Sequence, residues 1–348
     1  MNTIRSFIAI MAISVCLNLA TSSGYGMSIL DTSLGMDVSD ISQLVTESYQ
    51  SFFQGSDRSD NEDTDNNDKQ HAPQASSQKI QSTYPYVLMS YFAEMHKVSS
   101  RNEEKQKAIT ARTTWLDSKG YTLITNPQKI PEDWRKDFEE TTEQRIVLPD
   151  GLKVRLYENK DQQKLIVAIA GTDFANPTSI VSALSLYYNW GFSSAAAQAF
   201  ILVADLQAMY PGYNIELTGA SQGGAIAQYV ASLTPNIKVT VFNSETLHPA
   251  LTNGLNDENV THLYVEGEAL NPSVNSGATF SSLLIPVSPE LGENIKNTYY
   301  RYYKGFSSYF TPSAYYTPKS IIRHWTGSLL QAVEFYEPDG LCTGQKLQ

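Results

Sequence analysis

The run Gly219-Ala220-Ser221-Gln222-Gly223 constrains this chain more than any other, because it sets a serine between two glycines where a strand-like segment gives way to a helix-like one. Ile215-Glu216-Leu217-Thr218 follows a Pro211-Gly212 turn and reads as a short strand. Ile226, Tyr229, Val230 and Leu233 share one face of a helix over residues 225–233. A turn this tight needs a strained backbone at the serine, and a side chain two residues before or after it would strike the adjoining strand or helix. Glycine is therefore required at both flanks, with Gly224 as a further position of close packing. The layout is that of a nucleophile elbow: the Ser221 hydroxyl is expected to stand above the sheet, with the Gln222 N–H at a helix N-terminus, suited to stabilising an oxyanion.

The first residues carry one positive charge, Arg5, and then an apolar run from Phe7 to Leu17 that is too short to span a bilayer. Ala20-Thr21-Ser22 follows, small residues that suit a signal peptidase, so residues 1–22 read as a secretory signal peptide cleaved near Ser22. The expected location is secreted or periplasmic. Val15 before Cys16 argues against a lipoprotein site, and after cleavage Cys342 is the one cysteine left, so the fold cannot rely on an intrachain disulfide. The formal charge of −11 disfavours nucleic acid and anionic membrane surfaces as electrostatic partners. Lipid contact would have to be driven by apolar area, and no segment after the signal is long and apolar enough to cross a membrane.

Residues 54–82 are dominated by Asp, Asn, Ser, Gln and Lys, a composition that cannot offset the entropy cost of ordering, so residues 23–82 are expected to be a largely disordered segment and linker. Asp63, Asp65 and Asn67 have the start of a calcium-loop spacing, but Asp68 stands where the tight turn needs glycine and Gln74 where the bidentate glutamate belongs. From residue 83 to 348 the chain reads as one α/β domain. Tyr84 to His96 and Glu104 to Trp115 look helical, residues 145–157 read as a hairpin around Asp150-Gly151, and Lys164 to Ala170 is an apolar run suited to a central strand. A helix over 194–210, the elbow, strands at Val239–Phe242 and His262–Val265 and a helix over Leu329–Phe335 complete the pattern. Alternating strands and helices imply a mostly parallel central sheet with helices on both faces and function at the strands' C-terminal ends.

A serine nucleophile needs a base, and the base needs a carboxylate to hold its tautomer. In elbow enzymes the chain order is serine, acid, histidine. Of the five histidines, His71, His96, His248, His262 and His324, only the last leaves room for an intervening acid at a strand end. Glu266 and Glu268 both follow the strand that ends at Val265. Glu268 comes after a glycine that permits a sharp exit, and it is the preferred acid, with Glu266 the alternative. Gly171-Thr172-Asp173, after the central strand, is placed to supply a second oxyanion donor through Thr172.

Taken together, Ile169-Ala170-Gly171-Thr172, the elbow from Leu217 to Ala227, Val265-Glu266-Gly267-Glu268 and His324 resemble the class 3 lipase family, the fungal-lipase-like α/β-hydrolases, over residues 145–335. The resemblance implies an α/β-hydrolase fold and a triad of Ser221, Glu268 and His324. It also implies Thr172 and Gln222 as oxyanion donors, and acyl esters as substrates; neither a cofactor nor a metal is expected. The chain departs from that pattern in four places. Ala170 replaces the usual arginine, Ala220 the usual histidine, Gln222 the usual leucine and Glu268 the usual aspartate.

Two aromatic-rich segments suit a lipid substrate or transient contact with a lipid interface: Phe174 to Phe192, which directly follows the oxyanion loop where the resembled family carries a lid, and Tyr299 to Tyr316, just before His324. The expected activity is hydrolysis of lipid carboxylic esters, of lipase or phospholipase A type. Two alternatives stand beside it: a soluble-ester esterase or acyltransferase, and a non-catalytic secreted binding protein on the same fold.

Overall fold

The computed structural model describes residues 74–95, 103–138, 144–148, 151–172, 193–252 except 235, 246 and 248, and then 255, 258–266, 268, 282–286 and 326–335. Residues 1–22, expected to be a signal peptide, the segments 174–192 and 299–316 and four of the five histidines lie outside these residues.

Among the described residues eight strands form one mixed sheet: β1 (Thr122–Leu123), β2 (Ile146–Val147), β3 (Lys153–Asn159), β4 (Lys164–Ile169), β5 (Asn214–Ala220), β6 (Lys238–Phe242), β7 (Val260–Val265) and β8 (Ser282–Ile285). The order across it is β1-β3-β4-β5-β6-β7-β8, with β2 also paired to β3. Strands β4 to β8 are mutually parallel, and the pairings of β3 with β1, β2 and β4 are antiparallel. The hairpin expected over 145–157 is present as β2 and β3, closed by Gly151 at φ 91. Composition did not reveal β8, a four-residue edge strand.

Alternation along β4 sorts the core into two layers. Leu165, Val167 and Ile169 face helices α3 (Ser194–Met209) and α4 (Gln222–Leu233), while Ile166, Ala168 and Ala170 face α1 (Ser77–Glu94) and α5 (Thr326–Glu334). A strand buried on both faces has no polar side to present, which is why it reads as a continuous apolar run. A parallel-centred sheet sandwiched between helical layers, with an elbow after its central strand, is an α/β-hydrolase architecture.

The ordered domain begins earlier than composition suggests. Helix α1 starts at Ser77, capped by the Ser76 hydroxyl accepting from the Lys79 N–H at 3.2 Å, and Ile80 is fully buried. The Ala75 N–H donates to the Leu284 carbonyl at 2.8 Å, and Gln74 bridges the same residue of β8. Residues 74–82, expected to belong to the linker, are thus part of the sheet-packed structure. Tertiary contacts with β8 and the sheet order a stretch whose own composition would not.

Helix α5 is held to the N-terminal helices by charge. Arg112 of α2 (Glu103–Ser118) donates to both Glu334 oxygens, at 2.7 and 3.0 Å, and the Tyr84 hydroxyl donates to the same carboxylate at 3.0 Å. Burial works against the Arg112 charge, but its bonds to Glu334 prevail and raise its pKa. The result fixes the helix that follows His324 against α1.

Candidate active site

Ser221 joins β5 to α4 with φ 52 and ψ −128, a positive φ that non-glycine residues seldom adopt. The strain is held by the surrounding backbone. The Ser221 N–H donates to the Phe242 carbonyl at 3.2 Å, and its own carbonyl accepts from the N–H groups of Gly224, Ala225 and Glu245 at 3.1, 3.3 and 3.2 Å. The serine side chain makes no capping bond to the helix. Both flanking glycines are sterically required: a Cβ on Gly219 would stand 2.5 Å from the Gly223 carbonyl carbon, and one on Gly223 would stand 2.3 Å from the Ile169 carbonyl oxygen.

Gln222 opens α4 and is buried, so its N–H lies in the first turn, where helical bonding leaves donors pointing out of the end. The loop after β4 lies beside the serine. A Cβ built on Gly171 would be 3.2 Å from the Ala220 carbonyl oxygen and 3.4 Å from the Ser221 Cβ, and half-buried Thr172 is the next residue along. The register Ile169 to Gly219 between the parallel strands β4 and β5 brings the two loops level. Ser221, Gln222 and the Gly171-Thr172 loop are thus brought together at the C-terminal end of the sheet.

The two candidate acids differ in exposure. Glu268 is buried at 3% exposure, with its N–H donating to the Val265 carbonyl at 3.0 Å in a turn off β7. Glu266 is exposed and stays tied to the sheet edge, its N–H donating to the Ile285 carbonyl at 2.9 Å. Asn243, which the sequence did not single out, sets this exit. Fully buried at φ 43, it donates its N–H to the Leu263 carbonyl and accepts from the Val265 N–H through its side chain, each at 2.9 Å. Asparagine tolerates this left-handed conformation better than most residues, which is the signal that could have found it.

His324 lies outside the described residues. Among the described residues His262 is the one histidine, and it is structural: 2% exposed on β7, its ring 4.1 Å from that of Tyr264, and Nδ1 3.2 Å from the tyrosine hydroxyl. Burial pushes its pKa down to about 3. No helix among the described residues is long and apolar enough to cross a membrane.

Sequence reasoning also missed Glu94, the last residue of α1. Its carboxylate accepts from the Gly171 N–H at 3.2 Å and is 2.8 Å from the position a Gly171 Cβ would take. Tyr86, Ser90 and Glu94, polar at four-residue spacing on a largely apolar helix, were the signal available in the sequence.

No protein-family model matches the chain, and a comparison with curated proteins returns no match. Comparison with solved structures returns fungal lipases. Lip2 lipase from Yarrowia lipolytica has a TM-score of 0.36 and 12% identity, covering 63% of this chain and 82% of its own. Lipase II from Rhizopus niveus has a TM-score of 0.35 and 12% identity, covering 57% and 76%. A triacylglycerol lipase from Penicillium expansum has a TM-score of 0.34 and 13% identity, covering 61% and 78%.

Proposed function

We propose that the protein is a secreted serine hydrolase that cleaves carboxylic esters of lipids, of lipase or phospholipase A type. The observation that carries this reading is the backbone of Ser221, held at φ 52 between a central parallel strand and a helix N-terminus, beside the loop that follows the neighbouring strand. Strain at one serine, enforced by two glycines that no other residue could replace, is difficult to explain as packing and is what an exposed nucleophile requires.

In the proposed mechanism His324 removes the Ser221 proton as the oxygen attacks the acyl carbonyl. The N–H groups of Gln222 and Thr172 receive the oxyanion. Glu268 holds the imidazole in the right tautomer and stabilises the imidazolium. Collapse of the tetrahedral intermediate breaks the ester bond, and His324 gives its proton to the leaving alcohol. Water, activated by the same histidine, then releases the carboxylic acid. The aromatic segments 174–192 and 299–316 are proposed to contact the acyl chain or the lipid interface, an apolar contact being the kind open to a chain of formal charge −11.

The test is labelling with a fluorophosphonate, followed by a panel of triacylglycerols, phospholipids and short soluble esters read by mass spectrometry. Modification at Ser221, lost together with all turnover in a folded Ser221→Ala protein, is the expected result. Residual turnover within tenfold of the parent would remove the serine mechanism.

A further inference from the structure

Three polar residues on α1 meet two positions of β5 and the loop that follows β4. The Tyr86 hydroxyl donates to Glu216 of β5, Ser90 shares a 3.0 Å hydrogen bond with Thr218 of β5, and Glu94 accepts from the Gly171 N–H at 3.2 Å. The spacing has a geometric cause. Four helical residues advance about 6 Å and two strand residues about 6.6 Å, so a helix running parallel to the strand stays in step with it over this distance. Thr218 is fixed on both sides, since its hydroxyl also donates to the Thr240 carbonyl at 2.8 Å, and Glu216 is further bridged to Lys164 at 3.1 Å. The first rung is part-buried and the second buried, and together they fix α1 against β5 below the third.

That third rung falls at the oxyanion loop. Gly171 Cβ, were it present, would be 2.8 Å from a Glu94 carboxylate oxygen and 3.4 Å from the Ser221 Cβ. The carboxylate oxygen is therefore within about 6 Å of the Ser221 Cβ, close beside the site. Glycine at 171 is what admits the carboxylate to this place.

We propose that Glu94 is a positioning residue for the oxyanion loop. Its carboxylate holds the Gly171 N–H by a charge-assisted bond and so fixes the plane of the peptide from which the Thr172 donor follows. This rests on the serine-hydrolase reading above. Glu94 itself touches no reacting atom. It acts because oxyanion donors are effective only when they are aimed before charge develops.

The experiment measures kcat and KM on p-nitrophenyl butyrate, and the rate of fluorophosphonate labelling at Ser221, for the full chain and for Glu94→Gln, Glu94→Asp and Glu94→Ala. Glutamine keeps the reach of the acceptor without the charge, and aspartate keeps the charge but falls one methylene short. The expected result is that Glu94→Gln stays within about threefold of the parent, while Glu94→Asp and Glu94→Ala lose about tenfold or more in kcat and labelling rate at nearly constant KM. Thermal unfolding midpoints separate this from loosening of the helix end, which would not spare KM or be rescued by glutamine. If Glu94→Ala does not fold, the ranking of glutamine over aspartate decides. Parental rates in every variant, or aspartate outperforming glutamine, overturn the proposal while labelling of the parent leaves the hydrolase reading standing. A parent that is not labelled at Ser221 overturns that reading, and the role of Glu94 with it.

Discussion

Gly223, at the start of α4, lies so close to Ile169, at the end of β4, that a Cβ on it would come within 2.3 Å of the Ile169 carbonyl oxygen. The atoms in the way are backbone: the Ala170 carbonyl oxygen and carbon would also stand within 2.6 and 2.8 Å. No rotamer change can relieve the clash. Gly223→Ala is expected to force the helix away from the strand, costing about 2 kcal/mol or more and separating Gln222 from the Gly171-Thr172 loop. Urea denaturation should record the loss of stability, and fluorophosphonate labelling a larger fall in Ser221 reactivity.

The choice of acid can be resolved by two single substitutions. A carboxylate that orients an imidazole must be held, and Glu268, buried on a turn that leaves β7, meets that condition better than exposed Glu266 at the sheet edge. Glu268→Gln is expected to lower kcat by on the order of a hundredfold or more, as loss of tautomer control does, and Glu266→Gln to cost little. Steady-state kinetics at matched folding would check the ranking, and the reverse order would move the acid to Glu266.

His262 ties stability to pH. Its folded pKa is pushed down to about 3 by burial, while the unfolded chain takes up a proton near the ordinary histidine value. Between those values the unfolded state binds the proton that the folded state refuses, so stability rises with pH across the window and falls on acidification by about 1.4 kcal/mol per pH unit. Replacing His262 with glutamine should flatten the curve of urea midpoint against pH from about 3 to 6.5.

Trimming the N-terminus tests where the domain begins. A chain starting at Ser82 loses fully buried Ile80, worth about 2 kcal/mol, along with the Ser76 cap and the pairing of Ala75 with Leu284. It is expected to be several kcal/mol less stable than a chain starting at Lys69, which should match the full length in chemical denaturation. Equal midpoints for the two would place the boundary back at residue 82.

Sequence alone determined the features whose cause is local. The positions of Gly219, Ser221 and Gly223 follow from how tightly one strand can turn into one helix, and the apolar run of β4 from burial on both faces. The alternation of strands and helices then implied the parallel-centred sheet. What the tertiary structure decided depends on chain segments far apart in sequence. Composition marks residues 74–82 as linker, yet pairing with β8 and packing against the sheet order them. Nothing near Glu94 points to residue 171; their meeting depends on α1 running in step with β5, a distance match between two elements that only packing creates. Asn243 likewise becomes legible as the residue that shapes the exit of β7 only once β6 and β7 are neighbours. Local steric rules can be read along a chain, whereas contacts between distant segments are selected by the free energy of the whole core.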